Sequence, residues 1–280
     1  ADNELKSENF RSLQLDSRKR MDVEFRVSRI YEEILGSDIV PHIYHYDSNG
    51  KVILMKFFEG NLWKDELMRK QFNPEIVRKI GGIMGRIHAG TEKKYSSEWL
   101  FLNEEVLTAE LDTHYFAMAD IVERDVGEKI RELAEFHRAN KDFLIHGDLT
   151  CRSVLANGNN AHIIDFELAH LGSAEYDIGH FIADSFLFFE YAPHLKQEIF
   201  SGIGEFVREY FDAFKREDRE FSERDMVRHS AVLMLYRIDG IGKTSFVRDE
   251  DTRERVRKRA KVMLRENLKF FDLFSLFDKS

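Results

Sequence analysis

Residues Phe143 to Glu167, FLIHGDLTCRSVLANGNNAHIIDFE, decide how this chain is read. The stretch is a short apolar run, a polar loop carrying His146, Gly147 and Asp148, a second apolar run at Val154 to Ala156, a turn at Asn157 to Asn160, and a third run ending in Asp165. Asn-Gly between short apolar segments supplies the positive φ of a tight hairpin, so two small strands are expected to bring their ends together. That places Asp148 and Asp165 within reach of one ligand, with Glu167 beside them. Converging carboxylates suit a hard divalent cation, which takes oxygen ligands and keeps phosphate oxygens and water in its shell. The chemistry expected is phosphoryl transfer, in which one carboxylate orients the attacking hydroxyl and another holds magnesium on the nucleotide phosphates.

The order HGD, Ser153 five residues on, IIDFE, then EYDIGHF at Glu175 to Phe181 resembles the kinase-like small-molecule phosphotransferases: aminoglycoside phosphotransferases, choline and ethanolamine kinases, and methylthioribose kinases. IDFE followed by DIG and HF is most similar to the choline/ethanolamine branch, and Ser153 to the methylthioribose branch. The resemblance implies an α+β, protein-kinase-like two-lobed fold, with residues 1–60 as a small β-rich N-lobe covering the nucleotide and residues 61–280 as a large, mainly helical C-lobe. It implies ATP and Mg2+ as cofactors and a small-molecule hydroxyl as acceptor. It makes Asp148 the catalytic base, Asp165 the magnesium ligand and Asp177 a buried brace of the catalytic loop. Glu167 becomes either a further metal ligand or the support of one, and Ser153, where most relatives carry Asn, a weaker ligand. His146 is expected to bond backbone rather than move protons. A hinge at Glu59-Gly60-Asn61, with Phe57 leading into it, is expected to meet the adenine.

Upstream, Met21 to Leu35 carries Val23, Val27, Ile30, Tyr31 and Ile34 on one helical stripe. Strands are expected at His42 to Tyr46 and Lys51 to Phe58 around an Asn49-Gly50 turn. Phe10 to Leu15 alternates like a strand, but it has no Lys and no glycine-rich hairpin before it, unlike the family pattern. Arg11 is the cation available for the phosphates, Glu24 its expected helical partner, and Gln14 stands nearer the position of the family Lys. Asn73 caps a helix begun by Pro74 and running to His88, which is read as a core or capping residue. Phe101 to Asn140 is mostly helical by pattern, Leu168 to Tyr176 a loop, and Asp177 to Tyr191 a buried helix. Helices are also expected at Leu195 to Lys215, Glu223 to Ile238 and Asp251 to Leu276, the last with a solvated basic face from Arg253 to Arg265. Gly240-Ile-Gly242-Lys243-Thr244 is not a phosphate-binding loop, because the glycine spacing is wrong and no strand precedes it. Arg237, Asp239 and Lys243 there line either a substrate lip or a plain connection. Asp184 and Glu190 are acidic residues available to a cationic acceptor.

Composition narrows the class. With 280 residues, 43% of them hydrophobic and 24 of them Phe, the chain can bury a large core in two unequal lobes. No apolar run reaches the ~18 residues of a membrane span and no signal-peptide pattern opens the chain, so a cytoplasmic protein without a membrane partner is expected. The single Cys151 fits that compartment, since one thiol makes no internal disulfide. A net charge of −9 disfavours a sequence-independent grip on nucleic acid. The rival to an enzyme is a non-catalytic kinase-like nucleotide-binding module. A kinase acting on protein side chains is disfavoured, because no A-P-E segment follows DFE.

Overall fold

The computed structural model describes residues 17–215, 221–244 and 246–278. Phe10 to Leu15, with Arg11 and Gln14, lies outside the described residues. The chain opens with helix α1 (Ser17–Leu35), whose apolar stripe of Val23, Val27, Ile30 and Tyr31 is buried. Strands β1 (Ile43–Asp47) and β2 (Val52–Met55) follow as an antiparallel pair. Their turn is closed by Asp47 Oδ1, which accepts from the Asn49 and Gly50 N–H groups, and the left-handed residue is Lys51 (φ 53°) rather than Gly50.

Strand β3 (Asn61–Leu62) leaves the 56–60 segment and pairs with β5, so the expected hinge is stitched to the centre of the molecule. Helix α2 (Trp63–Met68) follows, then α3 (Pro74–Thr91), whose Asn73 cap accepts from the Glu75 N–H at 3.0 Å. At Gly81 and Gly85 of α3 a Cβ would stand 2.2 Å from the Phe206 carbonyl oxygen and 2.4 Å from that of Tyr210. These two glycines let α3 lie directly against α8 (Lys196–Phe214), the most extensive helix contact in the fold.

Residues 104–139 form α4 (Glu104–Glu110), a π-helical stretch (Leu111–Phe116), α5 (Ala117–Ile121) and α6 (Arg124–Ala139). Next come β4 (Phe143–Ile145), the hairpin β5 (Val154–Asn157) and β6 (Asn160–Ile163), and β7 (His170–Gly172), which pairs antiparallel with β4. The hairpin turn is a two-residue loop in which Gly158 (φ 58°) takes the positive φ. Strand β7 lies where a loop is expected from sequence. Its three residues carry no pattern of their own and owe their conformation to the partner strand.

Helix α7 (Ala174–Tyr191) is buried along nearly its whole length, with Phe181, Phe186 and Phe188 fully enclosed. Helix α9 (Glu223–Asp239) packs on it, and α10 (Glu250–Arg265) on α9. The helix expected to reach Leu276 stops at Arg265, and a separate α11 (Asp272–Asp278) begins where Asp272 Oδ2 accepts from the Lys269 N–H. The basic face of α10 is not simply solvated. Arg253 and Arg257 both hold Asp239, Lys261 and Arg265 reach Glu123 and Asp125 of the α6 start, and Arg259 is buried against Glu190 with its guanidinium 4.9 Å from the Phe277 ring. Among the described residues, no helix is long and apolar enough to cross a membrane.

Candidate active site

The loop from His146 to Ser153 is built from behind by a single helix. On α7 the polar residues Asp177, His180 and Asp184 interrupt an apolar sequence at i, i+3 and i+7, and so fall on one face. Asp177 takes the first two loop amides: the His146 N–H donates to Oδ2 at 2.7 Å and the Gly147 N–H to Oδ1 at 3.0 Å. His180 Nε2 lies 3.8 Å from Asp148 Oδ1, and Asp184 Oδ2 accepts from the Cys151 N–H at 3.0 Å. One helix face thus holds the loop at both ends, through Asp177 and Asp184, and sets His180 beside Asp148 between them.

Asp177 is fully buried. Burial alone would raise its carboxyl, but His88, 3.2 Å away through Nε2, and the backbone N–H of His146 reverse this and hold it below the ordinary aspartate range. His88 is in turn 3.0 Å from the Tyr210 hydroxyl through Nδ1. The histidine that ends the α3 stripe is therefore the counterpart of the buried brace, a pairing that sequence reading missed.

Gly147 has φ 83°, and a Cβ there would stand 2.4 Å from the Leu168 carbonyl oxygen. His146 is buried. Its Nε2 meets the Ile164 carbonyl oxygen at 3.1 Å, while the Asp148 N–H donates to its Nδ1 at 3.3 Å. A carbonyl can only accept, so Nε2 carries the proton and Nδ1 the lone pair. Ser153 is buried, with its hydroxyl 2.9 Å from the carbonyl oxygens of Asp148 and Thr150 and accepting the Thr150 N–H. The hydroxyl closes the loop on itself.

Asp165 is exposed and adopts a left-handed conformation at φ 73°, a strained state that persists only where its surroundings impose it. Glu167 is half-buried and paired with Arg20 of α1 at 3.1 Å. Its carboxyl is pushed up by burial, drawn down by Arg20, and raised again by Asp165 and Asp148, so the three carboxylates share one electrostatic environment. A fourth acid joins them. Glu24 of α1 accepts from the Phe166 N–H, has a buried Oε2 without a hydrogen-bond partner, and is pushed up to about 8 by burial and by Asp165. Glu24, expected to pair with Arg11, thus faces the DFE segment itself. Oxygen donors clustered in this way are the ligand chemistry of a hard divalent cation.

On the other side of Asp148 the groups are basic and aromatic. Arg152 Nη2 is 3.5 Å from Asp148 Oδ2. His180, kept neutral by burial and by Arg237, is pushed down to about 3. The Tyr236 phenol, raised by burial, responds to Arg237, Asp148 and Arg152. Glu190 is taken by Arg255 and Arg259, and Asp239 by Arg253 and Arg257, so neither acid is open to an acceptor.

Phe57, 85% exposed, and Glu59 line a cavity of about 850 Å3 beside the 56–60 segment, together with Lys56, Arg78, Arg86 and His162. Asp148 and Asp165 are not part of its wall.

A small β-containing portion over a large helical one, joined through the 56–62 segment and carrying its acids on a hairpin, is a kinase-like fold. Two solved structures have the same architecture: a choline/ethanolamine kinase family protein from Mesorhizobium loti (15% identity, 92% of this chain and 82% of that one, TM-score 0.50) and an amicoumacin kinase in complex with AMP-PNP, Ca2+ and Ami (15% identity, 89% and 78%, TM-score 0.51). The chain belongs to the phosphotransferase enzyme family, whose profile matches residues 15–217. It is also similar to methylthioribose kinases, at 41% identity over 63 residues to that of Bacillus pumilus (22% of this chain, 16% of the relative). Against that of Exiguobacterium sibiricum it is 26% identical over 180 residues (63% and 43%). The chain spans less than half the length of these curated relatives.

Proposed function

We propose that this chain transfers the γ-phosphoryl group of Mg·ATP to a hydroxyl of a small, sugar-like acceptor. The observation that carries the reading is the placement of Asp148: a half-buried carboxylate on a loop fixed by α7, in electrostatic contact with Glu167 on one side and with Arg152 and His180 on the other. In this reading residues 61–280 carry the chemistry and residues 1–60 cover the nucleotide.

Asp148 orients the acceptor hydroxyl and takes its proton as the new O–P bond forms. Asp165 holds magnesium, with Glu167 as a further ligand or its support. A bound magnesium ion supplies charge neutralisation on the phosphates. Ser153 keeps the loop closed and at most touches the metal's water shell. His146 and Asp177 hold the backbone of the loop. Phe57 and Glu59 lie beside the adenine edge, and Arg11 contributes a cation to the phosphates.

The acceptor class follows from the charges around Asp148. Arg152 and Arg237 on that side repel a cationic amino alcohol or polyamine. A neutral or anionic polyol fits them, in keeping with the methylthioribose kinases among the relatives.

Coupled ADP release across a panel of sugars, nucleosides, choline and aminoglycosides tests this directly. Turnover is expected with a sugar or nucleoside and not with choline. Asp148→Asn should abolish turnover while keeping the thermal shift given by Mg·ATP, and Asp165→Ala should lose that shift. Turnover by Asp148→Asn at the wild-type rate would remove the base assignment. A Mg·ATP shift without turnover on any acceptor would make the chain a nucleotide-binding module.

A further inference from the structure

A second group of side chains converges behind the HGD loop. Glu110 ends α4 just before the π-helical stretch, His137 lies in the last turns of α6, and His170 begins β7, paired with Ile145. All three are buried, and one ligand atom from each lies within 4.8 Å of the other two. Glu110 Oε1 is 2.6 Å from His137 Nε2, and Oε2 is 3.9 Å from His170 Nε2.

Ordinary hydrogen bonding leaves this group unsatisfied. His170 Nδ1 faces the Leu168 carbonyl oxygen at 2.9 Å, so Nδ1 carries the proton and Nε2 presents a lone pair. That Nε2 is buried without a hydrogen-bond partner. Across from it stands Glu110 Oε2, beyond hydrogen-bonding distance. Glu110 Oε1 and His137 Nε2 satisfy each other, while the His170 Nε2 lone pair is left facing Oε2 across 3.9 Å. Three side chains of metal-ligating type therefore converge in a buried site with one donor atom unspent.

We propose that Glu110, His137 and His170 bind a zinc-class transition metal ion that fastens the 104–139 helical segment to the back of the catalytic loop. Two imidazole nitrogens with one carboxylate oxygen are a zinc donor set, whereas Mg2+ and Ca2+ prefer oxygen alone. Ligand atoms about a tetrahedral zinc at ~2.0–2.1 Å stand roughly 3.3 Å apart. The observed 2.6 and 3.9 Å from Glu110 fall on either side, and all three ligand atoms lie within 4.8 Å of one another, so modest side-chain movement brings them onto one ion. The outer contacts are also those of metal-bound histidines: the Leu168 carbonyl behind His170, and Ser173 Oγ, 3.4 Å from Nδ1, behind His137. Tyr176 hydrogen-bonds Glu110 and stacks on His137, with ring centres 4.6 Å apart. The π-helical widening directly after Glu110 is of the kind often found at functional sites. Because the Leu168 carbonyl that anchors His170 also abuts Gly147, the metal would stiffen the HGD loop from behind.

The test counts metal in the purified chain after equilibration with Zn2+ and dialysis into metal-free buffer. About one Zn2+ per chain is expected, falling about tenfold or more in Glu110→Gln and His170→Ala and unchanged in Asp165→Ala. Co2+ in place of Zn2+ should give a visible absorption band that both variants lose. Chelation should lower the melting temperature of the wild type and leave that of His170→Ala where it is. The wild-type measurements decide the matter even if a variant fails to fold. A wild type that retains no Zn2+, shows no Co2+ band and melts identically with chelator overturns the site, as does equal metal content in the variants. None of these readouts uses ATP or an acceptor, so they stand apart from the catalytic assignment.

Discussion

Asp177 carries a negative charge into an interior where an unpaired carboxylate is costly, and three donors meet its two oxygens. Two amides of the HGD loop and the His88 ring meet its oxygens, and its ionised form is the one they favour. Breaking a buried, fully partnered charge of this kind costs about 3–5 kcal/mol. Asp177→Ala should lose that much stability in denaturant at pH 7. A carboxyl held below its ordinary value stabilises the fold above roughly pH 4. Its contribution disappears as the pH drops through the folded value. The stability gap between wild type and Asp177→Ala should therefore narrow below about pH 4, and a gap that stays constant across the acid limb would mean that Asp177 is neutral in the native state. Asp177 was legible in the sequence through the YDIG context, but its partner was not. His88 lies 89 residues away, and only the tertiary fold brings it there.

Elements show where local sequence suffices and where it fails. The β5–β6 hairpin, the Asn73-Pro74 start of α3 and the stripe on α1 are all encoded within a few residues, and each forms where the pattern places it. Strand β7 is not encoded this way, because His170-Leu171-Gly172 becomes extended only by pairing with β4. Nor is the break after Arg265, where Glu266, Asn267 and Leu268 are all compatible with helix, yet Glu266 is extended and Leu273 and Phe277 of a separate α11 are buried. The acids of the site were visible as motifs. The basic side of Asp148 was not, since Arg152, His180 and Arg237 come from three separate elements. The HGD loop itself yields a sharp prediction. A methyl group at Gly147 collides with the Leu168 backbone and demands a left-handed conformation from a residue that resists it. Gly147→Ala should fold, because the loop can shift outward, but Asp148 moves with it. A displacement on the order of 1 Å costs about 100-fold in rate, so kcat should fall by that factor while the Mg·ATP thermal shift persists. An unchanged kcat would mean that the loop position is not critical to the reaction.

At the scale of the whole molecule, α1 is the part that couples the small portion to the chemistry. Tyr31 donates its hydroxyl proton to the Leu144 carbonyl of β4 at 2.9 Å, Arg20 holds Glu167 at 3.1 Å, and Glu24 takes the Phe166 N–H between the two motif acids. Three points on one helix therefore touch the strand before HGD and the Phe166-Glu167 end of DFE. Glu24 is raised to about 8, so it is mostly protonated at neutral pH in the folded chain. A raised carboxyl supports the fold fully below its unfolded value, near 4.5, and that support is lost as the pH climbs through about 8. Glu24→Gln should match the wild type near pH 4.5 and exceed it in stability above pH 8, as read from denaturant midpoints. The same group should report nucleotide binding. Burial is the larger cause of its shift and the charge on Asp165 the next, and a divalent cation brought by ATP to Asp165 reverses the second. With magnesium on Asp165 as proposed, Mg·ATP binding should draw the Glu24 carboxyl down and release part of its proton. Calorimetric titrations near pH 7 in buffers of different ionisation enthalpy should show release of up to about one proton per ATP. The release should vanish in Glu24→Gln with affinity largely retained. Equal proton release in both proteins would place the ionisation elsewhere and uncouple α1 from the metal segment.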